Sequence, residues 1–309
     1  MRAVLATVLL LTHCVTAAAG TATVAATRQA MGTLLEVTAV ASNRRVAEAA
    51  VEAAFAEAAR LDGVLSDWRG TTELSAFNRA AGTGPRPVSN DLLAVLRMSA
   101  AVHAASGGAF DVTVGPVVLA LRRGDRAAAF SPGTRALVDG AGLEVRGGSA
   151  SLAHSGMACD LGGIGKGYAA DRMREAMLRA GAGAGYIDFG RSTMVGFGPR
   201  CWRVLLCGLD GRIGPVIELR DCSLSTSRTG DPGCDTVDPR TCLPVPFRRI
   251  VTLRARSAGL ADAWTKPPGV LGRLGLDLLV SSGLPCDVWY QDAAGAVELH
   301  QPRSSPGRR

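Results

Sequence analysis

Residues 160–171 read Asp-Leu-Gly-Gly-Ile-Gly-Lys-Gly-Tyr-Ala-Ala-Asp, with four glycines and one lysine between two aspartates. After the glycines, Ala169, Met173, Met177 and Ala180 recur at helical spacing, while Arg172, Arg174, Glu175 and Arg179 fall on the other side. Gly181 is a natural stop, because a residue with positive φ often follows a helix end. The segment therefore predicts a strand end, a glycine loop and a helix start. Backbone N–H groups at a helix start are unpaired and carry partial positive charge, which suits a phosphate. Glycines let a ligand approach the main chain. Lys166 adds a full positive charge, and Asp160 can accept hydrogen bonds from a base or a ribose. The segment is neither Gly-x-x-x-x-Gly-Lys-Ser/Thr nor Gly-x-Gly-x-x-Gly, and its composition alone also fits a plain tight turn with a solvated lysine.

Of the 34 basic residues in this 309-residue chain only Lys166 and Lys266 are lysines. Against a background of arginine, both mark places where a compact ammonium is wanted. The formal charge of +7 is scattered, without a run of five basic residues or a basic stripe with interleaved aromatics, which argues against nucleic acid as a partner. There is no Cys-x-x-Cys and no His pair at ligand spacing, which argues against zinc.

Residues 1–19 read as a secretory leader: Met1-Arg2, an apolar stretch from Ala3 to Leu11, and Ala17-Ala18-Ala19, with cleavage expected after Ala19. Bulky His13 before Cys14 argues against a lipoprotein signal. No later segment is long and apolar enough to span a bilayer, so a periplasmic or otherwise exported location is expected. That compartment permits disulfides among Cys159, Cys201, Cys207, Cys222, Cys234, Cys242 and Cys286, an odd number whose pairing spacing does not define.

The elements that must position the glycine loop follow from periodicity. Residues 34–40 alternate as a strand after a small-residue polar lead at 21–29. Helices are expected over 44–65, with Val46, Ala50, Ala53, Ala54, Ala58 and Leu61 inward, and over 91–106, with Leu92, Val95, Leu96 and Val102 inward. Residues 109–116 run into a helix ending near Leu121. Residues 122–143 are polar and irregular, and 149–152 and 157–161 read as paired short strands. Further strands are expected at 186–189, 202–206, 216–219, 250–254 and 288–290. A short helix begins at 259 and is interrupted by Pro267-Pro268, and a weak helix covers 271–279. Helices and strands mix without a regular βαβ alternation. The expected class is α+β, one compact domain of mixed sheets flanked by helices over 20–300, with a loose basic tail at 301–309.

Several segments together resemble the ApbE-type FAD:protein FMN transferases. They are Met31-Gly32-Thr33; Leu65-Ser66-Asp67-Trp68; the six residues from Glu73 to Asn78; Gly107 to Gly115 with its Phe-Asp-Val-Thr-Val-Gly; Asp160 to Asp171; Asp188-Phe189-Gly190; Asp238-Pro239-Arg240-Thr241; and Leu260-Ala261-Asp262-Ala263. They occur in the family's order from about residue 30 to about 272. The resemblance implies that the chain binds FAD, breaks its diphosphate, and moves FMN through a phosphoester to a threonine of an exported or membrane-bound acceptor protein. It implies FAD contacts from Met31, Trp68, Ala109, Phe110, Asp111, Asp160, Lys166 and Thr236, with Trp68 as a stacking plate. It also implies a Mg²⁺ site drawing on the Gly163 main-chain oxygen, Asp262 and Thr265.

Three positions depart from the family pattern. The family's His-x-x-Asp-Pro-x-Thr-Gly is here Asp235-Thr-Val-Asp238-Pro-Arg-Thr-Cys242, so Asp235 stands in for a histidine as proton acceptor and Cys242 for a turn glycine. The paired glycines after residue 189 are Gly190-Arg191. The threonine expected four residues past Asp262 is Lys266, with Thr265 one residue early; either Thr265 swings in, or the ammonium of Lys266 takes the place of the cation. Asp235 and Lys266 are thus the expected catalytic residues. Two other readings share the site: an FAD-binding accessory flavoprotein with weakened chemistry, and an FAD pyrophosphatase releasing FMN and AMP.

Overall fold

The computed structural model describes residues 20–231 and 236–292 in full, and the backbone of 9–10 and 297–300. Eight strands form one antiparallel sheet: β1 (Ala22–Ala30), β2 (Thr33–Ala41), β3 (Ala184–Phe189), β4 (Thr193–Phe197), β5 (Cys222–Thr229), β6 (Arg249–Ala255), β7 (Cys286–Gln291) and β8 (Val297–His300). Their order across the sheet is their order in the chain. Residues 42–183, between β2 and β3, hold most of the helices: α1 (Arg44–Leu65), α2 (Glu73–Arg79), α3 (Asn90–Ala105), α4 (Gly115–Arg122) and α5 (Gly165–Arg179). Three more, α6 (Ala258–Trp264), α7 (Lys266–Leu271) and α8 (Arg273–Ser281), lie between β6 and β7.

The sheet is covered on both faces, which is why every residue of β3 and β4 is buried. The main core joins Leu35, Val37 and Ile187 to Ala50, Ala54, Phe55 and Leu61 of α1 and Met173 and Met177 of α5. On the other side Tyr186, Met194 and Leu224 meet Trp202, Val204 and Leu219 of a hairpin formed by Trp202–Cys207 and Ile213–Leu219. The apolar stripe predicted for α1 is buried at Ala50, Ala54, Ala58 and Leu61, and Asn43 caps its start by accepting from the Val46 N–H at 3.0 Å. Arg60 reaches Glu57 and Asp91 at 2.8 Å each, and the Tyr168 hydroxyl donates to Asp91 at 2.7 Å, so α1, α3 and α5 are tied by polar contacts as well.

The architecture is the α+β class expected, in a single compact domain, but several elements differ from the periodicity. The polar lead at 21–29 is strand β1. It lies at the sheet edge and joins β2 through Met31 (φ 47°) and Gly32 (φ 76°), consecutive left-handed residues of a tight hairpin turn. Strand β5, Cys-Ser-Leu-Ser-Thr-Ser-Arg-Thr, lacks an apolar alternation because its hydroxyls are satisfied internally: Ser223 donates to the Ala255 carbonyl at 2.8 Å, and Thr226 pairs with Thr252 at 2.9 Å. Residues 149–152 pair with 143–146 across the two-residue Gly147-Gly148 turn, not with 157–161. Residues 157–161 instead lie beside 112–115: the Asp160 N–H donates to the Val112 carbonyl at 2.7 Å, and Gly115 N–H to Ala158 at 3.1 Å. The helix that begins at Ala258 ends at Trp264, ahead of Pro267 and Pro268 as expected. They occupy the first turn of α7, where a missing N–H costs nothing.

Among the described residues Cys159, Cys201, Cys207, Cys222, Cys242 and Cys286 are free thiols. Burial raises the Cys159 thiol far above its usual range and that of Cys286 to about 12, so both are neutral at physiological pH. Apart from the backbone of 9–10, the expected leader falls outside the described residues, as do Cys234 and the basic tail.

Candidate functional site

The Asp160 loop is held before any ligand arrives. The Asn78 carboxamide of α2 brackets Cys159, donating to its carbonyl at 2.9 Å and accepting from its N–H at 2.8 Å. Asp160 then accepts from the Gly162 N–H at 2.8 Å, which folds the loop back on its own first residue. Its second oxygen receives Arg122 of α4 at 2.5 Å, and the other arm of that guanidinium reaches Asp67 at 2.7 Å. The guanidinium also lies 4.1 Å over the ring of Trp68. Burial raises the pKa of Asp67 above the usual carboxylate range, the charge of Asp160 raises it further, and Arg122 opposes both. Trp68 is itself 68% exposed, unusual for a ring of that size, and leaves area available for stacking.

Beyond the loop, α5 crosses α6 at Gly167. A Cβ there would meet the Ala258 carbonyl oxygen at 2.2 Å, so this glycine serves helix contact, not ligand approach. The Gly167 N–H donates to Asp262 at 3.2 Å, engaging one of the first-turn amides expected to be free for a phosphate. One turn on, the half-buried carboxylate of Asp171 caps α6, accepting from Ser257 Oγ at 3.0 Å, Ala258 N–H at 3.0 Å and Gly259 N–H at 3.1 Å. The two ends of the 160–171 segment thus have different work: Asp160 faces the site, and Asp171 fixes the helix that carries Asp262.

Asp262 and Thr265 come together around Lys266. The ammonium shares its three N–H groups among four oxygens: Ser227 Oγ at 2.7 Å, Asp262 Oδ1 at 3.0 Å, Thr265 Oγ1 at 3.1 Å and the Asp262 carbonyl at 3.2 Å. The Thr265 hydroxyl, fully buried, donates to the Asp262 carbonyl at 2.7 Å. A Cβ on Gly163 would sit 3.3 Å from Lys266 Cε and from the Phe110 ring, so the lysine stem and that ring close on the bare main chain of Gly163.

Lys266, Gly163 and Phe110 border a cavity of about 290 Å³, whereas Asp262, Thr265 and Ser227 lie behind Lys266 and are not among its lining residues. Of the residues expected to bind a flavin dinucleotide, Ala109, Phe110, Asp111, Asp160 and Thr236 line it, with Gly163 and Lys266. Asp111 is partly committed to the fold, since one oxygen accepts from the Thr113 N–H at 2.8 Å and hydroxyl at 2.7 Å. Trp68 adjoins the wall through Arg122. Met31, in the β1–β2 turn, and Lys166, whose ammonium is 3.4 Å from the Gly162 carbonyl, are not among the lining residues. Asp235 lies outside the described residues. Two participants are absent from the sequence-level candidates: Arg122, placed in a polar irregular stretch, and Ser227, on a strand with no apolar pattern. No local signal marks either, because their partners are 38 to 55 and 38 to 39 residues away.

Cys242 and Arg191, standing where the resemblance expects glycines, both adopt positive φ, at 54° and 59°. Cys242 is buried in a small apolar cluster with Val117, Ala129 and Val237. Arg191 is exposed, and its N–H donates to Asp188 at 2.7 Å. Burial raises the Asp188 carboxyl to about 6, with the Glu36 charge adding to the shift and the Arg191 N–H opposing it. A folded pKa above the unfolded value means that the native state binds more protons between about pH 4 and 6. Stability therefore falls as pH rises through that window, by on the order of 2 to 3 kcal/mol. Asp188→Asn is expected to remove this slope, and urea unfolding at about pH 4 and about pH 7, on either side of the window, checks it.

The sequence profile described as the ApbE family matches residues 31–286. A protein of Klebsiella pneumoniae (strain 342) named FAD:protein FMN transferase is 29% identical over 272 residues, covering 78% of this chain and 77% of its own. A protein of the same name from Treponema pallidum (strain Nichols) is 31% identical over 226 residues, covering 64% and 62%. Among solved structures, the apo form of the flavinyl transferase ApbE of Pseudomonas stutzeri superposes with a TM-score of 0.78 at 22% identity, covering 92% of this chain and 95% of that one. The flavin transferase ApbE of Vibrio cholerae gives 0.77 at 21%, covering 92% and 98%. The structural likeness is one of fold, and the profile match spans every segment that lines the cavity: the chain belongs to the ApbE family.

Proposed function

We propose that this chain is an FAD:protein FMN transferase. The observation that carries the reading is the convergence of Ala109, Phe110, Asp111, Asp160, Gly163, Thr236 and Lys266, drawn from four separate stretches of sequence, on one cavity in a member of this family. FAD is the substrate. Its diphosphate lies against the Gly162-Gly163 main chain and the Lys266 ammonium, and a flat ring of the dinucleotide extends over Trp68. The hydroxyl of an acceptor threonine attacks the phosphorus on the FMN side, the bond to the bridging oxygen breaks, and AMP leaves with that oxygen. The hydroxyl proton passes to a base, for which Asp235 stands in the family's histidine position. The chain's own contribution is positioning and charge: phosphoryl transfer asks for an in-line nucleophile and for neutralisation of the phosphate oxygens.

The leader at 1–19 supports work outside the cytoplasm, on an exported or membrane-bound acceptor. Among the described residues no helix is long and apolar enough to cross a membrane. One observation favours a weaker catalyst: Lys266, at the cavity wall, forms an internal ion pair with the buried Asp262 behind it, which offsets the charge it presents. A flavin-binding accessory protein, or hydrolysis of FAD to FMN and AMP with water in place of threonine, would use the same cavity.

Incubation of the mature protein with FAD and a flavin-acceptor domain, followed by intact-mass analysis, tests the reading. An acceptor heavier by one FMN phosphoryl unit is the expected result. AMP release without an adduct selects hydrolysis, and saturable FAD binding without turnover selects the accessory role.

A further inference from the structure

We propose that the Lys266 ammonium is the resident cation of this site, and that the chain binds its substrate without a divalent metal ion. The substrate half of this statement rests on the flavin reading above; the metal half stands on the side chains alone. The oxygens that a divalent ion would need are Asp262 Oδ1, Thr265 Oγ1 and the Gly163 main chain. Lys266 Nζ is already 3.0 Å from the first and 3.1 Å from the second, with Ser227 Oγ at 2.7 Å and the Asp262 carbonyl at 3.2 Å completing a ring of four. These are hydrogen-bond lengths around an ammonium, whereas Mg²⁺ asks for near-octahedral oxygens at about 2.0 to 2.1 Å. The Thr265 hydroxyl is further committed, donating to the Asp262 carbonyl and paired with Ser227 at 2.6 Å. The residues present therefore do not fit a divalent ion while Lys266 is charged and in place.

Three further facts agree. The stem of Lys266 passes Gly163 where a Cβ would come within 3.3 Å of Cε, so the lysine is wedged between the glycine loop and α6 and is not a solvent-facing chain. It lines the cavity with Asp160, Gly162 and Gly163, the loop expected to meet a diphosphate. It is also one of two lysines among 34 basic residues. A guanidinium is planar and forked; a point-like ammonium is the side chain that occupies the space of a small hydrated ion. The charge balance differs from that of a metal site. A divalent ion on one carboxylate leaves a net charge of +1, while an ammonium on the same carboxylate leaves none. Anion binding here then depends on aimed N–H donors, with no term for a dissociable ion.

The test uses the mature chain dialysed against EDTA. FAD affinity, followed by flavin fluorescence, is expected to change less than twofold between EDTA and millimolar Mg²⁺. Mn²⁺, titrated with and without FAD and read by electron paramagnetic resonance, is expected to show no stoichiometric site. Lys266→Thr is expected to lose FAD affinity at least tenfold in EDTA and to regain most of it with Mg²⁺. Three results would each overturn the proposal: a tenfold loss of wild-type affinity in EDTA restored by Mg²⁺, one tightly bound Mn²⁺ per wild-type chain, or Lys266→Thr binding FAD as tightly as wild type in EDTA. The wild-type arms decide the matter if the variant does not fold. Absence of FAD binding under every condition would remove the flavin reading instead, and the Mn²⁺ titration of the unliganded chain would still decide the metal question.

Discussion

Arg122→Met is expected to lower the stability of the fold by about 4 kcal/mol at neutral pH and to weaken flavin binding tenfold or more. The guanidinium stands between Asp67 and Asp160, whose side chains are only 8% and 10% exposed, and reaches them at 2.7 and 2.5 Å. Removing one partner of a buried ion pair leaves an uncompensated charge, which typically costs about 3 to 5 kcal/mol; here two carboxylates are left facing each other. Trp68 also loses the cation that covers one of its faces. Burial and the neighbouring Asp160 already raise Asp67, and loss of the guanidinium raises it further. The penalty should therefore shrink as pH falls and Asp67 takes up a proton. Urea unfolding at two pH values reads the stability, and fluorescence titration reads the binding. Adding Asp67→Asn to Arg122→Met should recover part of the lost stability, since the two sites share one interaction. Additive losses would mean that the triad is not the coupled unit its geometry describes.

Gly167→Ala is expected to destabilise the fold by 3 kcal/mol or more and to abolish saturable FAD binding, though it adds only one methyl group. The new Cβ would lie 2.2 Å from the Ala258 carbonyl oxygen, 2.6 Å from its carbon and 2.9 Å from Asp262 Cβ. Those atoms belong to the start of α6, so no side-chain rotation relieves the contact, and overpacking that moves backbone costs about 1 to 3 kcal/mol or more. The alternative to unfolding is a shift of α6, which carries Asp262 away from Lys266 and breaks the Gly167–Asp262 hydrogen bond of 3.2 Å. Glycine is otherwise a poor helix residue, by about 1 kcal/mol against alanine. A gain in melting temperature for the variant would show that the close crossing of α5 and α6 is not what keeps this position bare.

The ordering of helices and loops was open to reading along the chain because their determinants are local. The stripe of α1, the stop at Gly181 and the glycine run at 162–167 are each decided by residues within a turn or two of one another. The family motifs are legible for a related reason: short segments of fixed type and order survive without knowledge of where they meet. Strands β1 and β5 were not legible. Their pattern comes from partners across the sheet and from hydroxyls satisfied by Ala255, Thr252 and Thr265, none of which is a sequence neighbour. The same distinction runs through the site. Asp160, Asp262 and Lys266 stand out as types in motifs, yet the contacts that define their work reach Arg122 and Ser227, each more than 35 residues away. Sequence alone determined which chemical groups this chain carries in its family motifs. Only the folded chain decided that an ammonium, ringed by four oxygens, would stand among the groups the family resemblance assigns to a metal, because that outcome depends on distances between segments whose separation along the chain says nothing about their separation in space.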